Sequence, residues 1–547
     1  MKALTINPTD NLAVALTDLK AGDKVRVNEQ EIILKQNIQA KHKFALANFD
    51  KGSELYMYGL IVGTSTEFIG QGEAITTENV THKATGYNLD NQQTFTWTQP
   101  DTSRFEDRTF MGYHREDGQV GTDNVWLVFP LVFCENRNVE ILRKAFESAL
   151  RYDEVNPYEA MVQKLVVGYK EGSVDELLDT ITLESTELSS QSQVFENVKI
   201  RFITHQAGCG GIRQDAEALC RLFAGYLNNP NVAGATVLSL GCQNAQIQIL
   251  EEAINKINPD FSKPLIILDQ QEIGSERELT SKAVKETFKG MMKANQLQRL
   301  PAPLSKLTIG LECGGSDGFS GISANPSVGH ASDLISALGG KAILSEFPEL
   351  CGVEQELINR MPTRDMAVKF TDLMRAYEKA AEDSGSGFDM NPSPGNIKDG
   401  LITDAMKSAG AAKKGGTSPV VDVLDYTEYA KNPGLNLLCT PGNDVESTTG
   451  LVGSGANVVL FTTGLGTPTG NPVAPILKVS SNSKLAERMS DIIDINTGSV
   501  IEGTKTIEEM GEEILEHVIR VASGETTSKA VAMKHYDFIP WKRGVSL

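Results

Sequence analysis

The segment Lys306–Cys313, KLTIGLEC, runs directly into GGSDGFSGISANPSVG (314–329). A short apolar run that stops on glycine reads as a buried strand followed by a close turn. The same unit recurs on both sides of it. VWLVFPLVFC (125–134), VKIRFITHQAGC (198–209), AGATVLSLGC (233–242), KPLIILDQQ (263–271), KAILSE (341–346), LNLLCT (435–440) and NVVLFTTG (457–464) are all short and apolar. Amphipathic stretches lie between several of them. In RQDAEALCRLFAGYLNN (213–229), Ala216, Leu219, Cys220, Phe223, Tyr226 and Leu227 share one helical face. Continuous apolar strands alternating with amphipathic helices predict an α/β fold, a mostly parallel sheet flanked by helices. About eight such strands exceed one ordinary unit. QLQRLPAPLSK (296–306) is the natural place to divide them, giving α/β domains at 108–298 and 299–547.

The N-terminal part has a different rhythm. DKVRV, EIILK and ELYMYGLIVG are short runs separated by turns such as Ala21-Gly22-Asp23 and Lys51-Gly52-Ser53. Residues 1–88 therefore read as a small β-clip of short strands. NLDNQQTFTWTQPDTSRFEDR, from Asn88, carries neither period, so 89–107 reads as a linker. The chain has 547 residues, a length consistent with about three or four domains. Its net charge of −20 argues against a nucleic-acid footprint, which needs a basic patch. No apolar run approaches the ~20 residues of a membrane span, and the opening MKALTINPTDNLAVAL is mixed and polar, so no secretory leader is expected. The expected location is cytoplasmic. Seven cysteines in such a chain point to buried, metal-binding or catalytic thiols rather than disulfides.

Cys134, Cys209, Cys242, Cys313 and Cys439 each fall at or just past a predicted strand end. Ligands of open α/β sheets bind outside those ends. Soft thiolates suit iron, as a single Fe2+ or an iron–sulfur cluster, with another divalent metal as the alternative. The candidate ligands are Cys209, Cys242 and Cys313, then Cys134; packing at a crowded turn is the plainer reading of each. His205, four residues before Cys209, is a candidate proton carrier. So are His42 and His82 of the small domain, with Lys43 beside the first. Small-residue loops supply Ser316, Asp317, Asn391, Ser393, Thr417, Ser418 and Asn443. Glycine admits close backbone approach, and Ser, Thr and Asn offer neutral donors and acceptors. Such loops suit a polyhydroxylated anion. The glycine runs at 453–455 and 464–470 lack dinucleotide or P-loop spacing.

The sequence also resembles the altronate dehydratases, with galactarate dehydratase as a more distant relative. The blocks that carry the resemblance are RTFMGYHREDGQVGTDN (108–124), THQAGCGG (204–211), NPNVAGATVLSLGC (229–242), CGGSDGFSGISANPSVG (313–329), LSEFPELCGVE (344–354), NPSPGN (391–396), KGGTSP (414–419) and TPGND (440–444). They run on to GVSL at 544–547. The N-terminal part is similar to an SAF-type β-clip domain. The resemblance implies an iron-dependent hydro-lyase that converts D-altronate to 2-dehydro-3-deoxy-D-gluconate in hexuronate breakdown. Galactarate or another aldarate or aldonate is the alternative substrate, and a non-catalytic sugar-acid binder is the alternative of another class. Many relatives carry His-x-His-Asn near the end of the small domain. Here Thr76 and Glu78 hold the two histidine positions, and His82 follows four residues on. The implied partner is a small-molecule sugar acid, with no nucleic acid and no membrane; a homo-oligomer is allowed.

Overall fold

The computed structural model of the protein describes residues 2–150, 157–182 and 194–546 (of residue 157 the backbone alone), so Leu547 of GVSL lies outside them. KLTIGLEC contains the strand Thr308–Cys313, the centre of a seven-stranded sheet. In spatial order the strands are Val420–Leu424, Gly434–Leu438, Lys341–Leu344, Thr308–Cys313, Val458–Thr463, Ile476–Ser480 and Ile495–Asn496. Every pairing is parallel. Side chains alternate across the sheet because successive Cβ atoms point to opposite faces. Ile309 and Leu311 enter a core shared with the helices Ala324–Ala337 and Ile507–Ala522. Val459 and Phe461 of the next strand enter the opposite core, with Leu451 and Val452 of the helix Asp444–Gly453. Both faces are covered, which is why these strands read as unbroken apolar runs.

A second parallel sheet orders Lys199–Phe202, Val125–Pro130, Val232–Ser239 and Leu265–Asp269. The helices Asn136–Leu150 and Glu276–Ala294 cover one face, through Val139, Leu142, Leu279 and Met291 against Trp126 and Val128. Arg213–Asn228 and Ile247–Ile257 cover the other. The helix Arg213–Asn228 also packs on the seven-stranded unit: a Cβ on Gly225 would lie 1.8 Å from Gly453 O. The strand Thr109–His114 pairs antiparallel with Leu300–Pro303, so the chain enters and leaves this unit side by side.

Each of the eight apolar runs contains a parallel strand. The sheet adds Val420–Leu424, Ile476–Ser480 and Ile495–Asn496. The sequence disguises these three, with Asp422 inside the first, a proline-rich approach to the second, and only two residues in the third.

The small N-terminal unit is built of short antiparallel strands, including Leu12–Ala15 against Lys43–Ala45 and Glu54–Met57 against Leu60–Ser65. The last pair turns on Tyr58 (φ 61) and Gly59 (φ 76), the positive-φ pair a two-residue hairpin requires. Its apolar side chains Tyr58, Val62, Ile75 and Val80 join the same core as Phe319, Ile322, Ile402 and Met406. The segment after it is irregular apart from the turn Leu89–Asn91, yet it is anchored: Gln92 donates to Ile358 O and Met361 O, and Phe105 is fully buried. Among the described residues, no helix is long and apolar enough to cross a membrane.

Candidate active site

From Thr308–Cys313 the chain moves to one side of the large sheet, through Lys341–Leu344 to Gly434–Leu438. It then crosses to Val458–Thr463 on the other side. The reversal falls between Thr308–Cys313 and Val458–Thr463, and the binding crevice of such sheets lies outside the carboxyl ends at that point. Gly314 forms its wall. Its N–H donates to Thr462 O at 3.0 Å, and a Cβ there would lie 2.1 Å from Asp444 Oδ2, so only glycine fits.

Six chemically active side chains meet at this strand end. Lys414 Nζ lies 2.7 Å from both Cys313 Sγ and Glu346 Oε2. The Cys313 thiol donates to Glu349 Oε2 at 3.0 Å. Lys407 Nζ holds the other oxygen of Glu349 at 2.6 Å and donates to Asn391 Oδ1 at 2.9 Å. Glu312 accepts from Ser345 and Ser447 at 2.7 and 2.6 Å. Glu346 also accepts the Cys313 N–H at 2.9 Å, and its own N–H donates to Thr440 Oγ1 at 2.8 Å. Its backbone sits in the left-handed region (φ 66, ψ 62), which a residue with a Cβ occupies at a cost of order 1–3 kcal/mol. That strain turns the carboxylate back onto the strand end.

Burial dominates the electrostatics, and the neighbours then sort the groups. Burial and the Glu346 charge push Glu312 well above the usual carboxylate range. Burial, then Glu346 and Glu349, hold Cys313 far above a free thiol, so it stays protonated at neutral pH. Burial opposes the charge on Lys414, but the surrounding anionic groups outweigh it and keep the ammonium charged. Because Cys313 is a neutral thiol, Glu346 is the anion that lies against Lys414. Glu349 is likewise buried, yet Lys407 and Lys414 hold it below its usual value, as a carboxylate. Asp444, at the crevice edge, is pushed up to about 7 by burial and by Glu346 and Glu349. A group titrating near neutrality is matched to proton transfer. Sulfur and oxygen atoms of Cys313, Glu346 and Glu349 lie within 4.8 Å of one another. A metal cation does not fit them well, because Lys414 already occupies the contact with two of the three.

The small domain reaches the crevice loops through the strand Lys43–Ala45 and the two residues before it. Lys41 Nζ pairs with Asp317 at 3.0 Å and Asp399 at 2.7 Å. His42 Nε2 lies 3.0 Å from Lys398 O, and Lys43 Nζ donates to Gly400 O at 2.6 Å. Full burial pushes Lys43 down to about 7 against the pull of Asp317, and burial also lowers His42. These three residues seat the small domain on the 313–329 and 391–400 loops. Asp317 is the socket: it also accepts from Ser481, Asn482, Ser320 and the Phe319 N–H.

The other predicted residues divide by role. Ser316 is buried, and its carbonyl accepts from Asn396 at 2.7 Å. Ser393 caps the short helix Pro394–Lys398 in a capping box with Asn396. Thr417 and Ser418 bind Asp333 through their N–H groups. Asn391 faces Lys407, and Asn443 is exposed at the start of the helix Asp444–Gly453. His82 lies beside Cys351 and Asp404 at the edge of the small domain.

The strand-end cysteines do not all share one region. Cys313 belongs to the seven-stranded sheet, whereas Cys134, Cys209 and Cys242 are exposed on the carboxyl edge of the four-stranded one. Their loops are tied together: Phe133 N donates to Ala207 O at 2.9 Å, and Asn244 Nδ2 to Cys209 O at 3.0 Å. A cavity of 690 Å³ opens there, lined by Cys209, Phe133, Tyr426, Phe538 and Trp541. Among the described residues, these three cysteines belong to no group of three ligand atoms within 4.8 Å. His205 is buried against Pro130 O at 2.9 Å and accepts the Ala207 N–H, and burial lowers it to about 4. It holds the Cys209 loop in place.

Sequence reasoning missed Glu346, Glu349, Lys407, Lys414, Cys351 and Asp404. One signal was available. In SEFPELCG (345–352) two glutamates sit three apart among Phe347, Pro348 and Leu350, the pattern of carboxylates drawn into an interior.

Family models match the chain over almost its full length. They are the altronate/galactarate dehydratase SAF domain at 1–83, the second domain of D-galactarate dehydratase/altronate hydrolase at 112–295, and the C-terminal domain of D-galactarate/altronate dehydratase at 304–546. The altronate dehydratase of Bacillus subtilis (strain 168) is 33% identical over 525 residues, covering 95% of each chain. That of Escherichia coli (strain K12) is 32% identical over 531 residues, covering 96% of each. The galactarate dehydratase (L-threo-forming) of Escherichia coli (strain K12) is 29% identical over 528 residues, covering 95% of this chain and 93% of the relative.

Proposed function

Because the chain belongs to the D-galactarate/altronate dehydratase family and is a sugar-acid hydro-lyase, we propose that it converts D-altronate to 2-dehydro-3-deoxy-D-gluconate and water. The observation that supports this reading is the side-chain cluster beyond Cys313, where Lys407, Asn391 and Glu349 face the loop Gly442-Asn443-Asp444. Dehydration of a 2,3-dihydroxy acid removes a weakly acidic C2 proton and expels the C3 hydroxyl. Lys407 is placed to bind the substrate carboxylate, which competes with Glu349 for the ammonium. Asp444 takes the C2 proton and passes it to the departing C3 hydroxyl, which leaves as water, and the buried Glu346–Lys414–Cys313–Glu349 chain holds the cation and carboxylates in register. Asn391 and the exposed Asn443 orient hydroxyl groups. The enol that results becomes the 2-keto product.

Iron remains the proposed cofactor. When bound, a divalent ion supplies Lewis-acid stabilisation of the charge that develops beside the carboxylate. The donor set that suits it chemically is the mixed one of His82, Cys351 and Asp404, whose ligand atoms lie within 4.8 Å of one another; the exposed thiols of Cys134, Cys209 and Cys242 form no such group among the described residues.

The test is an anaerobic assay of purified protein on D-altronate, galactarate and other aldonates, with and without ferrous iron, reading the 2-keto product. Turnover of D-altronate that Lys407→Ala reduces through KM and Asp444→Asn through kcat supports the proposal. Preferred turnover of galactarate, or unchanged kinetics in both variants, overturns it.

A further inference from the structure

Where the small domain meets the C-terminal unit, three segments bring together three different donors. His82 follows the last strand of the small domain, Val80–Thr81. Cys351 follows the turn Phe347–Leu350, and Asp404 opens the helix Asp404–Ala411. An imidazole nitrogen, the Cys351 sulfur and an Asp404 carboxylate oxygen all lie within 4.8 Å of one another. Ligands on a single ion at the usual 2.0–2.3 Å bond lengths are separated by about 3–4 Å, so little movement is needed to close on one.

The surroundings have the features of a metal site. Asp404 is fully buried, and its Oδ2 has no hydrogen-bond partner. Its Oδ1 accepts from Ser408 Oγ at 3.4 Å, and the Cys351 thiol also hydrogen-bonds to the carboxyl. A buried carboxylate oxygen left without a donor is costly; burial answers it here by raising the Asp404 carboxyl well above its usual range, and a bound cation would answer it instead. The backbone is shaped to fit: Gly352 has φ +89, and a Cβ there would lie 3.1 Å from the Ala84 Cβ and 3.8 Å from that of Ala405. This close approach brings the Cys351 turn against both His82 and the helix. Thr403 fixes the helix start, donating to Val62 O at 2.5 Å and accepting the Met406 N–H at 3.2 Å. The lysine nearest in sequence is Lys407, which is engaged by Glu349 and Asn391. No ammonium fills this group in the way Lys414 fills the Cys313 cluster.

We propose that His82, Cys351 and Asp404 form a divalent transition-metal site across the interface between the small domain and the C-terminal unit. One nitrogen, one thiolate and one carboxylate select borderline ions such as Fe2+, Co2+ or Zn2+ over Mg2+ or Ca2+. Three protein ligands leave a position open for water or substrate, as in catalytic rather than structural sites. Binding releases the thiol proton of Cys351 and the carboxyl proton of Asp404 to solvent. The site joins the crevice through two short connections. Asp404 and Lys407 are one helical turn apart, and Glu349 precedes Cys351 by two residues. A sugar acid held on Lys407 therefore lies next to the ion. The placement of substrate rests on the proposed function; the metal site itself does not.

Cobalt titration tests the site without substrate. Chelator-stripped, reduced full-length protein is titrated anaerobically with Co2+, and the thiolate-to-cobalt band in the near ultraviolet is followed with bound metal. The expected result is a saturable band that Cys351→Ser abolishes. His82→Gln and Asp404→Asn should weaken cobalt affinity by about tenfold or more. Circular dichroism confirms that each variant is folded, and His82→Gln, at a half-buried position, covers the case in which a buried substitution fails to fold. Cys209→Ser and Cys242→Ser should keep the band. Absence of a band in the wild type, its persistence in Cys351→Ser, or its loss in Cys209→Ser or Cys242→Ser would overturn the assignment. Because the readout is optical, failure of D-altronate turnover leaves it intact.

Discussion

Replacing Lys414 with methionine probes the cluster at its centre. The ammonium is 1% exposed and lies 2.7 Å from Glu346 Oε2, itself 0% exposed. Methionine fills similar volume but leaves Glu346 and Glu312 without their cation. Breaking a buried pair by removing one partner costs about 3–5 kcal/mol, because the remaining charge stays buried. Removing both partners with Lys414→Met/Glu346→Gln should recover about 2 kcal/mol relative to the sum of the single changes. The sign of the pH dependence is fixed. In wild type Lys414 is held above its unfolded value, so its contribution is complete below about pH 10 and does not vary between pH 5 and 8. In the variant, Glu346 and Glu312, already raised by burial, rise further. A carboxyl raised in the folded state binds its proton more tightly there than when unfolded, so stability falls as pH rises past about 4.5. The variant's deficit should therefore be small at pH 5 and full at pH 8.

Hydrogen exchange of the Thr308–Cys313 amides reads the opening free energy of this strand directly, without requiring the whole chain to unfold in one step. At about 1.4 kcal/mol per decade, the variant should exchange two to three and a half decades faster at pH 8. Exchange within threefold of wild type at both pH values would refute a buried, mutually dependent ion cluster. So would a double variant no better than the sum of its parts.

Asp317→Asn removes the charge opposite Lys41 and weakens a socket of charged hydrogen bonds worth about 1.5–3 kcal/mol each; limited proteolysis within residues 86–104 should speed up accordingly. Lys43 is held below its unfolded value, so the unfolded chain binds the extra proton and stability should rise with pH between about 7 and 10. Lys43→Met should flatten that rise in urea titrations across the range. Gly225→Ala places a Cβ 1.8 Å from the Gly453 carbonyl oxygen and should cost more than the usual ~1–3 kcal/mol of overpacking, whereas Gly172→Ala, with open space around it, should cost only the strain of its positive φ; thermal unfolding compares the two.

The parallel sheets were legible because strands buried on both faces carry a continuous apolar signal, and glycine marks where each one stops. The edge strand Ile495–Asn496 was not, because two residues carry no period. At the site, Cys313 was legible as a strand-end thiol, but its partners were not. Lys407 and Lys414 sit in AMKSAGAAKKGG, where the sequence also shows the exposed-looking Lys413, and nothing in residue type separates a buried ammonium from a solvated one. Partner identity depends on which loops the sheet order brings together, and that order follows from crossovers as long as the one from Leu344 to Val420. The cysteine pattern had the same limit. Cys313 closes its strand and Cys439 directly follows one, while Cys134, Cys242 and Cys209 sit on loops beyond theirs; two sheets have two carboxyl edges, and the sequence does not say which thiols share one.

Charge raises a final question, since a chain of net charge −20 must accept an anion. Local cations decide it: Lys43, Lys414, Lys407 and Lys41 have side-chain exposures of at most 19% and converge on the crevice and the loops beneath it. Lys407 is already paired with Glu349, so an incoming carboxylate must compete with a resident one. Asp444 then controls the balance. Below about 7 it is neutral and the crevice is one charge less negative, which favours a sugar acid; above about 7 it is ionised and able to take the C2 proton. Binding and chemistry therefore pull in opposite directions. KM should rise and kcat should rise together as pH is taken from 6 to 8, leaving kcat/KM flatter than either. Asp444→Asn should remove both trends, lowering kcat at every pH while holding KM at its low-pH value. A wild-type kcat that is independent of pH through 7, with KM rising as before, would mean that Asp444 tunes the electrostatics of binding and that another group takes the proton.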